Sequence, residues 1–578
     1  MKIKRFTALL AALLVTAFVV TAQESLEPSA ETLQKHVTYL ASDKLDGRRT
    51  GTPGAKEAAR YIAAEFERLG IQPAPATDSW KINVKSARYL QTFPYIGQVE
   101  LGKNNVLSVR SGETLNLRVG EDWMPLGISP NQKLDLTGVV FAGYGITANE
   151  LNYNDYKLSY SKNQVEVIQK GTPDGDNPHG RFTTAGELRF KVAAAQSAGV
   201  GALLIISSED DLKNDALAKL HYDNAGLAGI PVALISKQAA EKLANAKEVS
   251  LVTDVVRMDV PAYNVVGVIE GSDPILKNEA IVIGAHYDHL GRGGEGSLAP
   301  RSGEIHHGAD DNASGTAGVL ELARIFSAQR SKLKRTLVFI AFSCEEEGLL
   351  GSNYYVNHPL VPLDKTVAMI NMDMIGRMKD RKLVIGGIGT AKEWRQLLTT
   401  SNDGFELTLN EDGYGPSDHS QFYGKQIPVL FFWTGTHNDY HKPSDTSDKI
   451  NYNDEAQILK MVARIVRDLD GADQRVTYTT AKVDPPRGGG FRVYLGTIPN
   501  YADSNDGLLL DGVRDDSPAA KGGLKAGDKI VKIANRDVKN VYDYTYALGE
   551  MKAGQEYVFE VLRGGEKLTL KITPQARN

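Results

Sequence analysis

Five segments of this chain each end an apolar, strand-like run with a carboxylate or an imidazole. IVIGAHYDH delivers His286 and Asp288, HHGADDNASG holds Asp311, and VFIAFSCEEEG holds Glu345 and Glu346. MINMDMIG carries Asp373, and NDYHKPSD carries His441. Zinc accepts imidazole nitrogen and carboxylate oxygen, and a hydrolytic zinc keeps one position open for water. Two such ions, about 3.5–4 Å apart, share a carboxylate and clamp the attacking and leaving oxygens of a substrate. The expected chemistry is two-zinc hydrolysis.

These residues need a scaffold that brings five strand ends together. Between Ala262 and Leu469 strands alternate with helices, which predicts a parallel sheet covered on both faces. In such sheets ligands collect beyond the carboxyl ends of the strands, near a topological switch point. Upstream, Ala30 to Leu40 reads as an amphipathic helix, followed by the loop SDKLDGRRTGTPG. Thr52-Pro53 then has the form of a helix start, and Gly70 that of its stop.

Between Gly120 and Thr253 the pattern changes to short strands, GVVFAGYGI, VEVIQKG, GALLIISS and IPVALIS, with one helix from Glu187 to Ala198. This order resembles a β-rich protease-associated domain inserted into a peptidase. Residues 473–490, with Pro485-Pro486, read as a polar linker. Beyond it, DDSPAAKGGLKAGDKIVKIANRDV resembles the core of a PDZ domain over residues 491–578. Its carboxylate-binding loop, Tyr494-Leu495-Gly496-Thr497, ends in threonine where that family has an apolar residue.

The strings AHYDH, GADDNASG, EEEGLLGS, NMDMIG and YHKPSD resemble the co-catalytic zinc aminopeptidases of the aminopeptidase Y and bacterial leucyl aminopeptidase type. The resemblance implies an α/β zinc-exopeptidase fold, a mixed and mostly parallel sheet covered by helices, over residues 23–119 and 256–472, with the insert at 120–255. It implies two zinc ions per chain, one held by His286 and Asp373 and the other by Glu346 and His441, with Asp311 bridging. Three carboxylates against two dications leave one positive charge, which a hydroxide neutralises. Such a field lowers the pKa of bound water from 15.7 to about 7. Glu345 matches the family's general base, and Asp288 the acid that orients a ligand imidazole. Glu347 is expected to face solvent, and Asp310 to serve loop structure.

Tyr440 is a candidate donor to the oxyanion or a packing residue, and His419, in PSDHSQF, a candidate wall of the substrate cleft. His289, His306 and His307 have no slot in a closed ligand set. Glycines in GRGGEGSLAPRSGE point to a mobile loop at the cleft mouth that orders on substrate.

Composition sets the remaining bounds. At 578 residues the chain exceeds one core, and its net charge of −5 gives no hint of nucleic acid. Residues 1–22 place Lys2, Lys4 and Arg5 before an apolar run and end in Val20-Thr21-Ala22, the form of a cleaved signal peptide. Removing those three cations from −5 leaves −8, on a protein exported to the periplasm or the medium. No later run has the roughly 18 apolar residues of a membrane span. The lone cysteine, Cys344, excludes an intramolecular disulfide and reads as a small buried thiol.

The function expected is hydrolysis of N-terminal residues from peptides through a metal-bridging hydroxide, with a C-terminal peptide as possible ligand of the PDZ domain. Alternatives are a carboxypeptidase or dipeptidase of the same fold, needing basic groups such as Arg292 or Arg301, or a peptide-binding protein without chemistry.

Overall fold

The computed structural model describes residues 26–74, 88–148, 151–157, 162–175, 180–182, 185–224, 226–244, 246–294, 296–299, 303–481, 493–500 and 506–576. The expected signal peptide, residues 1–22, and half of the expected linker, residues 482–490, lie outside them.

The largest unit is built on nine strands: β1 (Gln72–Pro73), β2 (Leu90–Leu101), β3 (Val255–Ile269), β4 (Ala280–His286), β5 (Thr336–Phe342), β6 (Thr366–Met372), β7 (Lys382–Gly386), β8 (Glu406–Leu409) and β9 (Val429–Trp433). Their order is β1-β3-β5-β4-β6-β9-β7-β8, with β2 paired to β3. β5, β4, β6 and β9 run parallel, and β3 and β7 flank them antiparallel. Every residue of β4, β5 and β6 is buried, as central parallel strands covered on both faces require.

The two faces have separate cores. Ile281, Ile283 and Ala285 of β4 pack with α1 (Ala30–Leu40), α2 (Pro53–Arg68), α4 (Gly315–Ser327) and α7 (Tyr452–Gly471). Val282 packs on the other side with α5 (Leu350–Asn357) and α6 (His419–Tyr423). The start of α2 follows the expected chemistry: the Thr52 hydroxyl accepts the Ala55 N–H, Pro53 opens the helix, and Gly70 follows its end at φ +67°. From β4 the chain crosses through α4 to β5, then returns through α5 to β6 on the other side of β4. That reversal puts a crevice at the carboxyl end of β4.

The insert grows from the antiparallel ladder of β2 with β3 and begins earlier than residue 120. Strand Val106–Arg110 pairs with Glu248–Thr253, in a four-stranded sheet with Thr114–Leu117 and Gln132–Thr137. The pattern hides this because Val106 and Leu115 are exposed and the strands are short and polar. A second sheet holds Val139–Phe141, Val165–Gln169, Ala202–Ile206 and Val232–Ile235 in parallel, with α3 (Leu188–Ala198) beside them. Beyond the linker, β10 (Thr497–Pro499), β11 (Leu508–Val513) and α8 (Val541–Glu550) belong to the C-terminal domain, where the Ser517 hydroxyl caps the short helix Pro518–Lys521. Among the described residues no helix is long and apolar enough to cross a membrane.

One side chain ties the loops around the crevice. Arg48, fully buried, donates to the carbonyls of Leu40, Tyr287, His307 and Gly308 at 2.5–2.9 Å. Burial lowers its pKa to about 10, so the guanidinium stays charged at neutral pH. Its loss strands four buried carbonyls, so Arg48→Ala should lower stability by about 3 kcal/mol. Urea denaturation measures this, and a change within the roughly 0.5 kcal/mol typical of surface substitutions would contradict the role.

Candidate metal centre

At the carboxyl ends of β4, β5 and β6 the structure gathers His286, Asp311, Glu345, Glu346, Asp373 and His441. Asp311 stands in the middle. Its Oδ1 lies 3.4 Å from His286 Nε2, and its Oδ2 lies 3.1 Å from His441 Nε2. Asp373 Oδ2 lies 3.4 Å from His286 Nε2 on one side, and Glu346 Oε2 lies 3.3 Å from His441 Nε2 on the other. Two ligands of one tetrahedral zinc, each at 2.0–2.1 Å, sit about 3.3 Å apart. The four separations match that edge length.

His289 competes with His441 for the second half of the site, since it too lies with Asp311 and Glu346 in a group able to hold a metal. The distances separate their roles. His289 Nδ1 is 2.6 Å from Glu346 Oε1, the length of a charge-assisted hydrogen bond and too short for two ligands of one zinc. That length suits His289 as a hydrogen-bond partner of Glu346, while the His441 distances match the edge of a zinc tetrahedron. His441 Nδ1 meets the Gly296 carbonyl at 2.7 Å, which leaves Nε2 free to face the acids.

The donor set fits dications. His286 is buried with neither ring nitrogen hydrogen-bonded, and Asp373 Oδ1 is buried without a partner. Burial favours neutral imidazole, yet Glu345 and Asp373 outweigh it and drive the His286 pKa well above its ordinary value. Asp311 and Glu346 likewise overcome burial to raise His441 to about 11. Acids this crowded need positive charge, and Arg48 is already committed to backbone carbonyls.

The two adjacent glutamates diverge. Glu345 Oε2 lies 3.7 Å from His286 Nε2, while Glu346 faces His289 and His441. Cys344, at φ +58°, turns the chain between β5 and the pair, and its thiol is buried. Met374, after Asp373, and His441 itself also hold left-handed backbone, at φ +53° each. Such non-glycine residues cost energy that the surrounding packing must hold. Burial lifts Glu345 well above the usual carboxylate range, reinforced by Asp373 and Glu346.

Asp288 does more than sequence suggests. Its Oδ1 accepts the Glu345 N–H at 3.2 Å, its Oδ2 accepts the Thr50 hydroxyl at 3.2 Å, and His286 Nδ1 stands farther off at 3.7 Å. Asp310 is structural, as expected, accepting from Gly376 N–H at 2.7 Å and facing His437 Nε2 at 3.1 Å. Glu347 does not face solvent. Its side chain is 11% exposed and pairs with Arg49 at 3.1 Å. Tyr440 stacks on His441 with ring centroids 3.8 Å apart, and burial raises its phenol so that it stays protonated. His419 is buried and stacks on Phe431, with ring centroids 4.4 Å apart.

Sequence reading missed Thr50, Ser417 and Asp445. The Ser417 hydroxyl donates to Asp373 Oδ2 at 2.8 Å, and Asp445 Oδ2 accepts the N–H groups of Asp310 and Asp311 at 2.9 and 3.1 Å. Asp445 lies in YHKPSD and Ser417 in PSDHSQF, strings singled out for their histidines.

Residues 264–466 match peptidase family M28, and residues 495–573 match the PDZ domain. The chain carries a family M28 peptidase domain. Aminopeptidase YwaD of Bacillus subtilis (strain 168) is 25% identical over 427 residues, covering 71% of this chain and 78% of that protein. The uncharacterized protein YfbL of Escherichia coli (strain K12) is 31% identical over 220 residues, 66% of its own length. Among solved structures, BSAP, a zinc aminopeptidase from Bacillus subtilis, is 23% identical, with 77% of this chain and 95% of that chain covered at a TM-score of 0.49.

The separation of His289 from His441 is testable by metal analysis. His441→Ala should retain one zinc per chain after dialysis. His289→Ala should retain two, bound about 10–100-fold more weakly. Equal stoichiometry in the two variants would reverse the assignment.

Proposed function

We propose that the M28 domain is an aminopeptidase that removes N-terminal residues from peptides at a two-zinc site. The observation that carries this reading is Asp311, whose two oxygens face His286 and His441 on opposite sides. His286, Asp373 and Asp311 would hold one zinc, and Glu346, His441 and Asp311 the other. Zinc bound there supplies Lewis-acid polarisation of the scissile carbonyl and an acidified water.

Glu345 is the general base. Its carboxylate takes the proton of the attacking water and returns it to the leaving amine nitrogen. Asp288 fixes it by accepting its backbone N–H, and Thr50 in turn fixes Asp288. Tyr440 donates its phenolic proton as a hydrogen bond to the oxygen that becomes negative as the carbonyl turns tetrahedral.

A carboxypeptidase would need a cation for the substrate's terminal carboxylate. Arg292 is paired to Asp46 at 2.8 Å and Arg49 to Glu347, while Arg301 lies outside the described residues. This favours recognition of a free amine. The leader at residues 1–22 supports export to the periplasm or medium, and the insert's strand order supports its likeness to a protease-associated domain.

Amino-acyl arylamides and free peptides should be cleaved while N-blocked peptides are not, and a chelator should abolish turnover. Glu345→Ala should lose about 10²–10⁴-fold in kcat while keeping both zinc ions. Preference for N-blocked peptides, or full activity of the variant, would refute the proposal.

A further inference from the structure

We propose that the PDZ domain clamps residues 412–424 of the catalytic unit and thereby positions Ser417 on Asp373. This rests on reading Asp373 as a metal ligand of the aminopeptidase site.

Residues 412–424 connect β8 to β9 and serve two neighbours. Toward the metal centre, the Ser417 hydroxyl donates to Asp373 Oδ2 at 2.8 Å and accepts from Asn371 Nδ2 at 2.8 Å. This fixes which oxygen of Asp373 is occupied and leaves Oδ1 without a protein partner. Toward the PDZ domain, Asp412 pairs with Arg514 at 2.6 Å. Both side chains are largely shielded, at 14% and 22% exposure. The Arg514 guanidinium also lies over the Tyr414 ring, 5.5 Å from its centroid.

The contact extends to backbone. A Cβ on Gly512, in β11, would lie 1.7 Å from the Tyr414 hydroxyl oxygen, so only glycine lets the strand rest on that phenol. A Cβ on Gly424 would lie 3.3 Å from the Asp511 carbonyl. A small cavity of about 240 Å³ separates these contact points.

Within the segment there is little slack between the two ends. Tyr414 meets Tyr423 edge-on at 4.6 Å, and a Cβ on Gly415 would lie 2.6 Å from His419 Nε2. Ser417 sits between these two fixed points, three residues from Tyr414. A domain that only rode on a linker would meet its neighbour through a mobile, solvated contact. Here a shielded ion pair and a glycine-to-phenol contact grip the stretch that carries Ser417.

The test uses the full-length protein, with zinc affinity read by chelator competition and turnover read on an amino-acyl arylamide. Arg514→Glu sets two acids against each other and should weaken zinc at one of the two sites about tenfold, within the range seen when a ligand's hydrogen-bond partner is disturbed. kcat should fall with it while KM holds. The exchanged pair Asp412→Arg with Arg514→Glu should recover both. Gly512→Val, which lifts β11 from Tyr414, should repeat the zinc loss, and Arg514→Gln gives a milder version if the charge reversal unfolds the chain.

Wild-type zinc affinity and kcat in both Arg514→Glu and Gly512→Val would overturn the inference. A wild-type protein that binds zinc but cleaves no arylamide would instead defeat the proposed activity. The zinc comparison among variants would still decide the clamp.

Discussion

A carboxylate shared between two imidazoles sets the terms for this molecule. Asp311 has two oxygens and nothing else to offer. For each to meet a different histidine, β4 must end at His286 and the loop after β9 must return His441 to the opposite side. The surrounding acids, Glu345, Glu346 and Asp373, repel one another in a region without bulk water. Their convergence is stable only with positive charge among them. Histidines pushed toward protonation by these acids record the same demand.

The parallel sheet meets this requirement because its crossovers diverge at β4. The proposed ligands from β4, β5 and β6 then arrive at one crevice without any strand bending toward it. Final aiming falls to short turns. Cys344, Met374 and His441 all adopt left-handed backbone beside or at a ligand. Tertiary contacts flank those turns, among them the Asp288 carboxylate on the Glu345 N–H and the Asn312 side-chain oxygen on the Met374 N–H. The outer groups thus fix where the inner ones point.

This division explains what was legible in the sequence. Strand runs ending in acids mark themselves, since a mostly apolar stretch of seven buried residues stopping at an ionisable group is rare outside a site. Thr50 and Ser417 leave no such mark. A hydroxyl in a loop has many uses, and only the fold reveals that these two reach Asp288 and Asp373. His289 is a subtler case. It shares its residue type with the proposed ligand His441, and the difference between 2.6 Å and 3.3 Å to Glu346 belongs to geometry alone. Glu347 was misread because the Arg49 that pairs with it is distant in sequence. The insert's leading edge left little signal because its first strands are four or five residues long and leave Val106 and Leu115 exposed.

The accessory units pose the converse problem, since their likeness to known modules says nothing about how they dock. Thr497 stood out as polar where the PDZ family has an apolar residue, and the structure supplies a reason: its hydroxyl meets that of Tyr544 on α8. The polar residue is answered from within the domain, so the departure need not signal a different ligand. Docking is written elsewhere, in Gly512 and Arg514 on the far end of β11. Glycine there has no turn to make and arginine no ligand to bind in isolation. Each acquires meaning from Tyr414 and Asp412, residues of another unit that the chain reaches only after folding. An interface of this kind is legible when a small residue and a charge that a domain does not need for itself lie on one exposed edge.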